Sequence, residues 1–394
     1  MVSKLSIVAV ALLAACGGGN QGPQNDGPPP TAYPLNNEQS SAITVNITVG
    51  GSQTFNAVLD TGSTTLALAG STCTNCTAVT PLYAPGASAM DLGTTSSSTY
   101  GDGTSWNGEN FSDTVAVTGD TAVTMDLAEI TTQNGFFRPH EPAQGILGFG
   151  SPQLAIPDTD SYVAKRVAAG LSGVFAVQIC PENGTLWFGG ADKTHEVSDE
   201  QYTAFEPITD QQPFYLINVN SGTIGGTSIG MSGMALTDTG TTNLVVPTAV
   251  ATAMTNAITS SDGYKSIFGA QPFPTTQCSL STSHSKDDVD SALPALEITL
   301  NDLDGKPFTL NLPATSSYLL LQTAGTYCPD IAGADIDGGP SIILGDAFLR
   351  AFITVFDTVN NKVGFAPQQN CTFPAREAPP GPWTPYLHGH PWNK

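Results

Sequence analysis

Basic residues are scarce in this chain: 12 Lys and Arg stand against 34 Asp and Glu among 394 residues, a formal net charge of −22 at pH 7. Nucleic acids and anionic membrane surfaces are bound through Lys and Arg, so neither is expected as a partner. Histidine is sparse as well. The 5 His are scattered, and His388-Gly389-His390 near the end is too little for a metal site, so no metal or other cofactor is expected. Sustained amphipathic helix patterns are missing, which argues against a helical class. What replaces them is Gly (41), Pro (29) and abundant Ser and Thr, the composition of short strands and turns. The expected class is mostly β. A chain of 394 residues exceeds one ordinary core, so two lobes are expected. The acidic excess has two readings: solubility, or service in acid, where protonated carboxylates leave a chain with little positive self-repulsion.

Against this background two tripeptides stand out. Asp60-Thr61-Gly62-Ser63 follows the apolar run Ala57-Val58-Leu59, and Asp238-Thr239-Gly240-Thr241 follows Met234-Ala235-Leu236-Thr237. Each places a carboxylate in a tight Gly turn at the end of an apolar strand. Two such turns facing each other would let two carboxylates share one proton, the apparatus for splitting an amide with water. Their separation, 238 − 60 = 178 residues, is about one domain length. A duplicated lobe accounts for that spacing.

The N-terminus carries a second signal. Lys4 precedes the apolar stretch from Leu5 to Ala15, which falls short of the roughly 20 residues a spanning helix needs. It ends in Leu13-Ala14-Ala15-Cys16-Gly17, which resembles the bacterial lipobox. That resemblance implies a signal peptide over 1–15 and a lipid on Cys16, with the outer membrane favoured because no Asp follows the Cys. The alternative is an ordinary secretory leader in which Cys16 is incidental. A flexible tether is expected over 16–41 and an extended Pro-rich tail over 372–394. The expected location is the cell envelope, held by the lipid anchor only, as a monomer. Export permits disulfides. Cys73 and Cys76 are close enough to close a small loop; a redox or zinc half-site lacks a second pair or a thioredoxin-like context.

Strands are expected over Ile43–Val49 and from Phe55 into the first Asp turn, with a Gly-rich hairpin tip at Tyr100-Gly101-Asp102-Gly103. The run from Gly145 to Gly150, with Ile146-Leu147-Gly148 at its centre, has a counterpart in Ile343-Leu344-Gly345. Helices are expected around Ser161 to Ala169 and Thr248 to Ile258, and a hairpin around Asp304-Gly305. The lobes are expected over 42–207 and 208–371.

Taken together, the paired Asp-Thr-Gly turns, the paired Ile-Leu-Gly segments and Tyr100-Gly101-Asp102-Gly103 resemble the pepsin-like aspartic endopeptidases. The run Ile343 to Arg350, then Thr354 to Asp357 and Asn361 to Ala366, resembles that family's C-terminal signature. The resemblance covers about Ile43 to Cys371. It implies a bilobal β fold with the cleft between the lobes, and Asp60 and Asp238 as the catalytic pair acting on protein or peptide substrates. By the same resemblance Ser63 and Thr241 hold the outer carboxylate oxygens, Thr61 and Thr239 brace the turns, and Gly62 and Gly240 allow close backbone approach. Tyr100 would lie on a flap with Gly101 and Asp102. Many relatives bond that Tyr to a Trp that here is replaced by Ala67; Trp106 could substitute, as in the β-secretase branch. That branch also implies disulfides Cys180–Cys371 and Cys278–Cys328. Asp102 at the flap tip implies tolerance of Lys before the cut, as in fungal relatives with Asp there. No long basic segment lies between Cys16 and Ile43, so activity without propeptide removal is expected.

Other readings are weaker. Gly226-Thr227-Ser228-Ile229-Gly230 fits a serine-hydrolase pattern but lies among strands, where a hairpin turn is expected. Asp302-Leu303-Asp304-Gly305 lacks the remaining ligands of a calcium loop. A pepsin-type fold that has lost catalysis usually loses an active-site Asp, and both are present. A two-carboxylate glycosidase would not require symmetrical Asp-Thr-Gly turns.

Overall fold

The computed structural model describes residues 29–371 apart from 39–41, 78, 138–142, 152–160, 182, 208–213, 276, 324 and 337. The leader, Cys16 and the tail from Thr372 lie outside the described residues. Strand far outweighs helix among the described residues, as expected for a mostly β class, and the same pairing pattern occurs twice. In the first half the strand Gln53–Asp60 runs parallel to Gly145–Gly148, which is antiparallel to Leu66–Ala69, itself parallel to Val123–Asn134. In the second half Gly233–Thr237 runs parallel to Ile342–Leu344, which is antiparallel to Leu244–Val246, itself parallel to Ile331–Gly333. Thus each Ile-Leu-Gly segment lies beside the strand that delivers an Asp. These central strands are apolar on both faces and buried throughout, the pattern of strands covered on two sides.

A β-carbon on Gly148 would come within 2.2 Å of the Thr64 backbone, and one on Gly345 within 2.3 Å of the Thr241 carbonyl oxygen. Only glycine lets these strands press so closely against the Asp turns.

The boundary expected after residue 207 does not divide the sheets. Phe352–Asp357 pairs with Val174–Ile179 of the first half, and Lys362–Pro367 pairs with Gln201–Ala204. One continuous sheet therefore joins the halves beneath the Asp turns. The tether expected over 16–41 also differs from the structure, because Thr31–Glu38 is a strand of that sheet, paired with Asn183–Phe188 and with Ala42–Val49. Its cause is a period-two pattern. Tyr33 and Leu35 are buried while Pro34 is exposed. Pro34, which has no N–H to give, sits just outside the stretch that pairs with Ala42–Val49.

The helix Tyr162–Ala168 is capped by Ser161, whose hydroxyl accepts from the Ala164 N–H, and Thr248–Ser260 follows Pro247. Two further short helices, Asp262–Phe268 and Lys286–Ala292, start at Ser261 and Ser285, whose hydroxyls accept from the Tyr264 and Asp288 N–H groups; Ser285 and Asp288 form a capping box. Gly225 and Gly226 turn the chain between Ser221–Ile224 and Thr227–Ser228, so the serine-hydrolase pattern is a hairpin. Asp302 accepts from the N–H groups of Asp304 and Lys306 and closes the turn between Leu296–Asn301 and Pro307–Leu312. The three disulfides are Cys73–Cys76, Cys180–Cys371 and Cys278–Cys328. No helix among the described residues is long and apolar enough to cross a membrane.

Candidate active site

Asp60 ends its strand at the first turn, and Asp238 follows Gly233–Thr237 at the second. Both are fully buried. Asp60 Oδ1 accepts from the Gly62 N–H at 2.8 Å, and its Oδ2 accepts a short bond from the Ser63 hydroxyl. Asp238 repeats the arrangement, with the Gly240 N–H at 2.8 Å and the Thr241 hydroxyl at 2.6 Å. The two carboxyl groups lie within hydrogen-bonding reach of each other. Their closeness depends on glycine. A β-carbon on Gly62 would stand 2.6 Å from Asp238 Oδ1, and one on Gly240 would stand 2.4 Å from Asp60 Oδ1.

The turns are locked across the halves. Thr61 N–H donates to Thr239 Oγ1 at 3.1 Å, and Thr239 N–H donates to Thr61 Oγ1 at 3.0 Å. Each hydroxyl then donates onward: Thr61 to the Thr237 carbonyl at 2.9 Å, and Thr239 to the Leu59 carbonyl at 2.7 Å.

Burial raises the Asp60 carboxyl well above its ordinary range, and the neighbouring Asp238 charge adds to the shift. Burial also raises Asp238, against the opposing hydrogen bonds from Thr241 and Gly240. Two acids so placed cannot both ionise readily, so the pair titrates as a unit and its second proton is harder to remove than its first. A third carboxyl, Asp346, is buried behind Asp238. It is pushed well upward by burial and by the Asp238 charge. Its N–H donates to the Thr241 carbonyl at 2.8 Å, which ties the Ile-Leu-Gly segment to the second turn. In the sequence Asp346 was only part of a longer run, and nothing in its spacing disclosed the approach to Asp238.

Tyr100 closes the hairpin of Met90–Thr99 and Ser105–Val117. Tyr100 is buried, and burial pushes its phenol upward, with a contribution from the Asp60 charge. Trp106 Nε1 donates to the Tyr100 hydroxyl at 2.9 Å. Ala67, Trp106 and Tyr100 share one apolar cluster. Gly101 is exposed at the tip. Asp102 accepts from its own neighbour, Thr104, through the N–H at 2.9 Å and the hydroxyl at 2.7 Å. No cluster of His, Cys, Asp and Glu suited to a metal ion occurs among the described residues.

The family model for eukaryotic aspartyl proteases matches residues 43–368. The chain belongs to the eukaryotic aspartyl protease family. It is similar to an aspartic protease of Phaffia rhodozyma, at 30% identity over 327 residues covering 81% of this chain and 75% of the relative. Pepsin A of Bos taurus is 30% identical over 351 residues, covering 85% and 86% of the two chains. Cathepsin E of Rattus norvegicus is 31% identical over 344 residues, covering 80% and 77%. This aspartyl protease is an endopeptidase, and its substrates are peptides and proteins.

Sequence reasoning missed Asn75, Gln133 and Phe136 around the flap. Their contacts link segments about 60 residues apart (133 − 75 = 58), and no local periodicity marks them.

Proposed function

We propose that Asp60 and Asp238 form the catalytic dyad. One member, ionised, takes a proton from a water held between them as that water attacks the scissile carbonyl. The other, protonated, donates to the carbonyl oxygen, giving a tetrahedral diol. As the diol collapses and the C–N bond breaks, the carboxyl that took the water's proton gives it to the leaving nitrogen, and one diol hydroxyl returns its proton to the other carboxylate. The observation that carries this reading is the reach of one buried carboxyl to the other, each with a backbone N–H and a hydroxyl on its oxygens. The hydroxyls of Ser63 and Thr241 engage the outer oxygens and favour a proton on the inner ones. Tyr100 acts as the flap that covers the substrate and excludes water, held by Trp106. The bond between these two side chains supports the likeness to the β-secretase branch, as do the cysteine pairs.

The test is digestion of denatured protein at pH 3 to 6, with and without a statine-type inhibitor. Asp60→Asn and Asp238→Asn should each lower kcat by at least about 10²–10⁴-fold, the usual contribution of general acid–base groups. Undiminished proteolysis in either variant would refute the assignment.

We further infer that the protein is a bacterial-type lipoprotein held at the cell envelope through Cys16, as a monomer. The leader residues support this. So does the position of Thr31, at the end of its strand remote from the Asp turns: Glu38, at the other end, pairs with Ala42, and Thr44 of that strand pairs with Val58, two residues before Asp60. Incorporation of radiolabelled palmitate that disappears in Cys16→Ser is the expected result.

A further inference from the structure

The small disulfide loop Cys73–Cys76 is connected to the flap by hydrogen bonds through Gln133 to Phe136 and then by a ring stack on Tyr100. Asn75, exposed within the loop, donates through Nδ2 to the Gln133 carbonyl at 2.5 Å. Gln133 returns two bonds, from its N–H to Asn75 Oδ1 at 3.0 Å and from Nε2 to the Asn75 carbonyl at 3.1 Å. The remaining polar atom of Gln133 faces the other way. Its Oε1 accepts from the N–H of Phe136 at 2.8 Å and of Phe137 at 3.4 Å. Phe136 is buried and stacks on Tyr100, with ring centroids 5.5 Å apart and planes at 22°. Trp106, which holds the Tyr100 hydroxyl, is the cross-strand partner of Gln133. Gln133 thus uses both polar atoms of its side-chain amide: Nε2 holds the disulfide loop, and Oε1 holds the turn that carries the ring stacked on Tyr100.

We propose that Gln133, braced by Asn75 of the Cys73–Cys76 loop, is a positioning residue for the flap. It sets Phe136 as the surface on which Tyr100 rests, and so governs how tightly the flap engages substrate. Neither residue touches the reacting atoms, so the effect falls on substrate and inhibitor affinity rather than on the chemical step. The proposal rests on the reading of Tyr100 as a flap residue.

The experiment measures kcat and KM separately in the full chain, on a peptide with hydrophobic residues on both sides of the cut, together with the affinity of a statine-type inhibitor. Gln133→Leu should raise KM and weaken the inhibitor about tenfold, the equivalent of about 1.4 kcal/mol, with kcat within about twofold. Gln133→Glu keeps an acceptor for the Phe136 and Phe137 N–H groups and should restore most of the affinity. Combined with Tyr100→Ala, Gln133→Leu should add little, because both act on one contact. Unchanged KM in a folded Gln133→Leu, or a loss confined to kcat, overturns the proposal. If that variant does not fold, Asn75→Ala decides: the side chain is exposed, and unchanged KM there is equally fatal. Tyr100→Ala separates the two levels. A rise in KM with Tyr100→Ala but none with Gln133→Leu defeats this inference alone, whereas no rise with Tyr100→Ala defeats the flap reading beneath it.

Discussion

Thr61 and Thr239 exchange backbone N–H to hydroxyl bonds with each other, at 3.1 and 3.0 Å, across the junction of the two halves. All four groups are buried, so the exchange has no water to replace it. Thr239→Val keeps the shape but strands the Thr61 N–H and the Leu59 carbonyl, at about 1–3 kcal/mol for each stranded group. The urea midpoint should fall accordingly, and kcat with it, since this exchange holds the turns in register. Thr239→Ser retains the hydroxyl and should recover both quantities. A Val variant as stable and active as the parent would show that the exchange is dispensable.

Stability should decline as pH rises out of the acid range. Asp60, Asp238 and Asp346 are all raised in the folded protein, chiefly by burial. A folded state with raised carboxyl pKa values binds more protons than the unfolded chain. Its stability is therefore fully present below the ordinary carboxylate range and is lost as pH rises through the folded values. Glu196 follows the same sign, since burial moves it from 4.5 to about 7 despite the bond from Lys193. Its share is lost between those two values. Thermal melts from pH 4 to 8 should show a falling midpoint, and Glu196→Gln should flatten the part between about 4.5 and about 7. A midpoint that climbs over this interval would contradict the assignment.

The Cys180–Cys371 disulfide joins residues 191 apart and ties the chain just beyond Lys362–Pro367 back to the end of Val174–Ile179. Replacing both with Ser should cost about 2–5 kcal/mol in urea unfolding. Cys73–Cys76 closes a loop of only three residues' separation. Its removal should cost much less in the chain-entropy account, in which the loss grows with loop length. The reverse order of costs would show that strain or local packing dominates.

Asp102 is the site of the expected tolerance for Lys before the cut. Its Oδ1 is engaged by Thr104, which orients the carboxylate on the hairpin tip. Asp102→Ser should slow cleavage after Lys relative to cleavage after Leu by about tenfold, the order of one charge-assisted contact. Equal cleavage of Lys peptides by both proteins would discard the preference.

Legibility in the sequence followed the range of the interactions. The Asp-Thr-Gly turns and the Ile-Leu-Gly segments were readable because each is a few consecutive residues whose chemistry is local: an apolar strand, a carboxylate, a glycine. Ser161 and Pro247 announced their helices for the same reason. Thr31–Glu38 was hidden by the prolines before and within it, although the alternation of Tyr33 and Leu35 was present. Asp346, and the Asn75–Gln133 pair, owe their roles to neighbours far along the chain. The sheet shared by the halves is the largest feature that the sequence left unread. Val174–Ile179 and Phe352–Asp357 each look like an ordinary buried strand, and neither pattern says which partner it takes.

That sharing has a bearing on biosynthesis. One edge of Val174–Ile179 pairs with Phe352–Asp357, which is synthesised 352 − 174 = 178 residues later. Until then the first half carries a row of unsatisfied backbone donors and acceptors, open to pairing with another nascent chain. Any gene fragment that stops before residue 352 should therefore yield aggregates rather than a free-standing half-molecule.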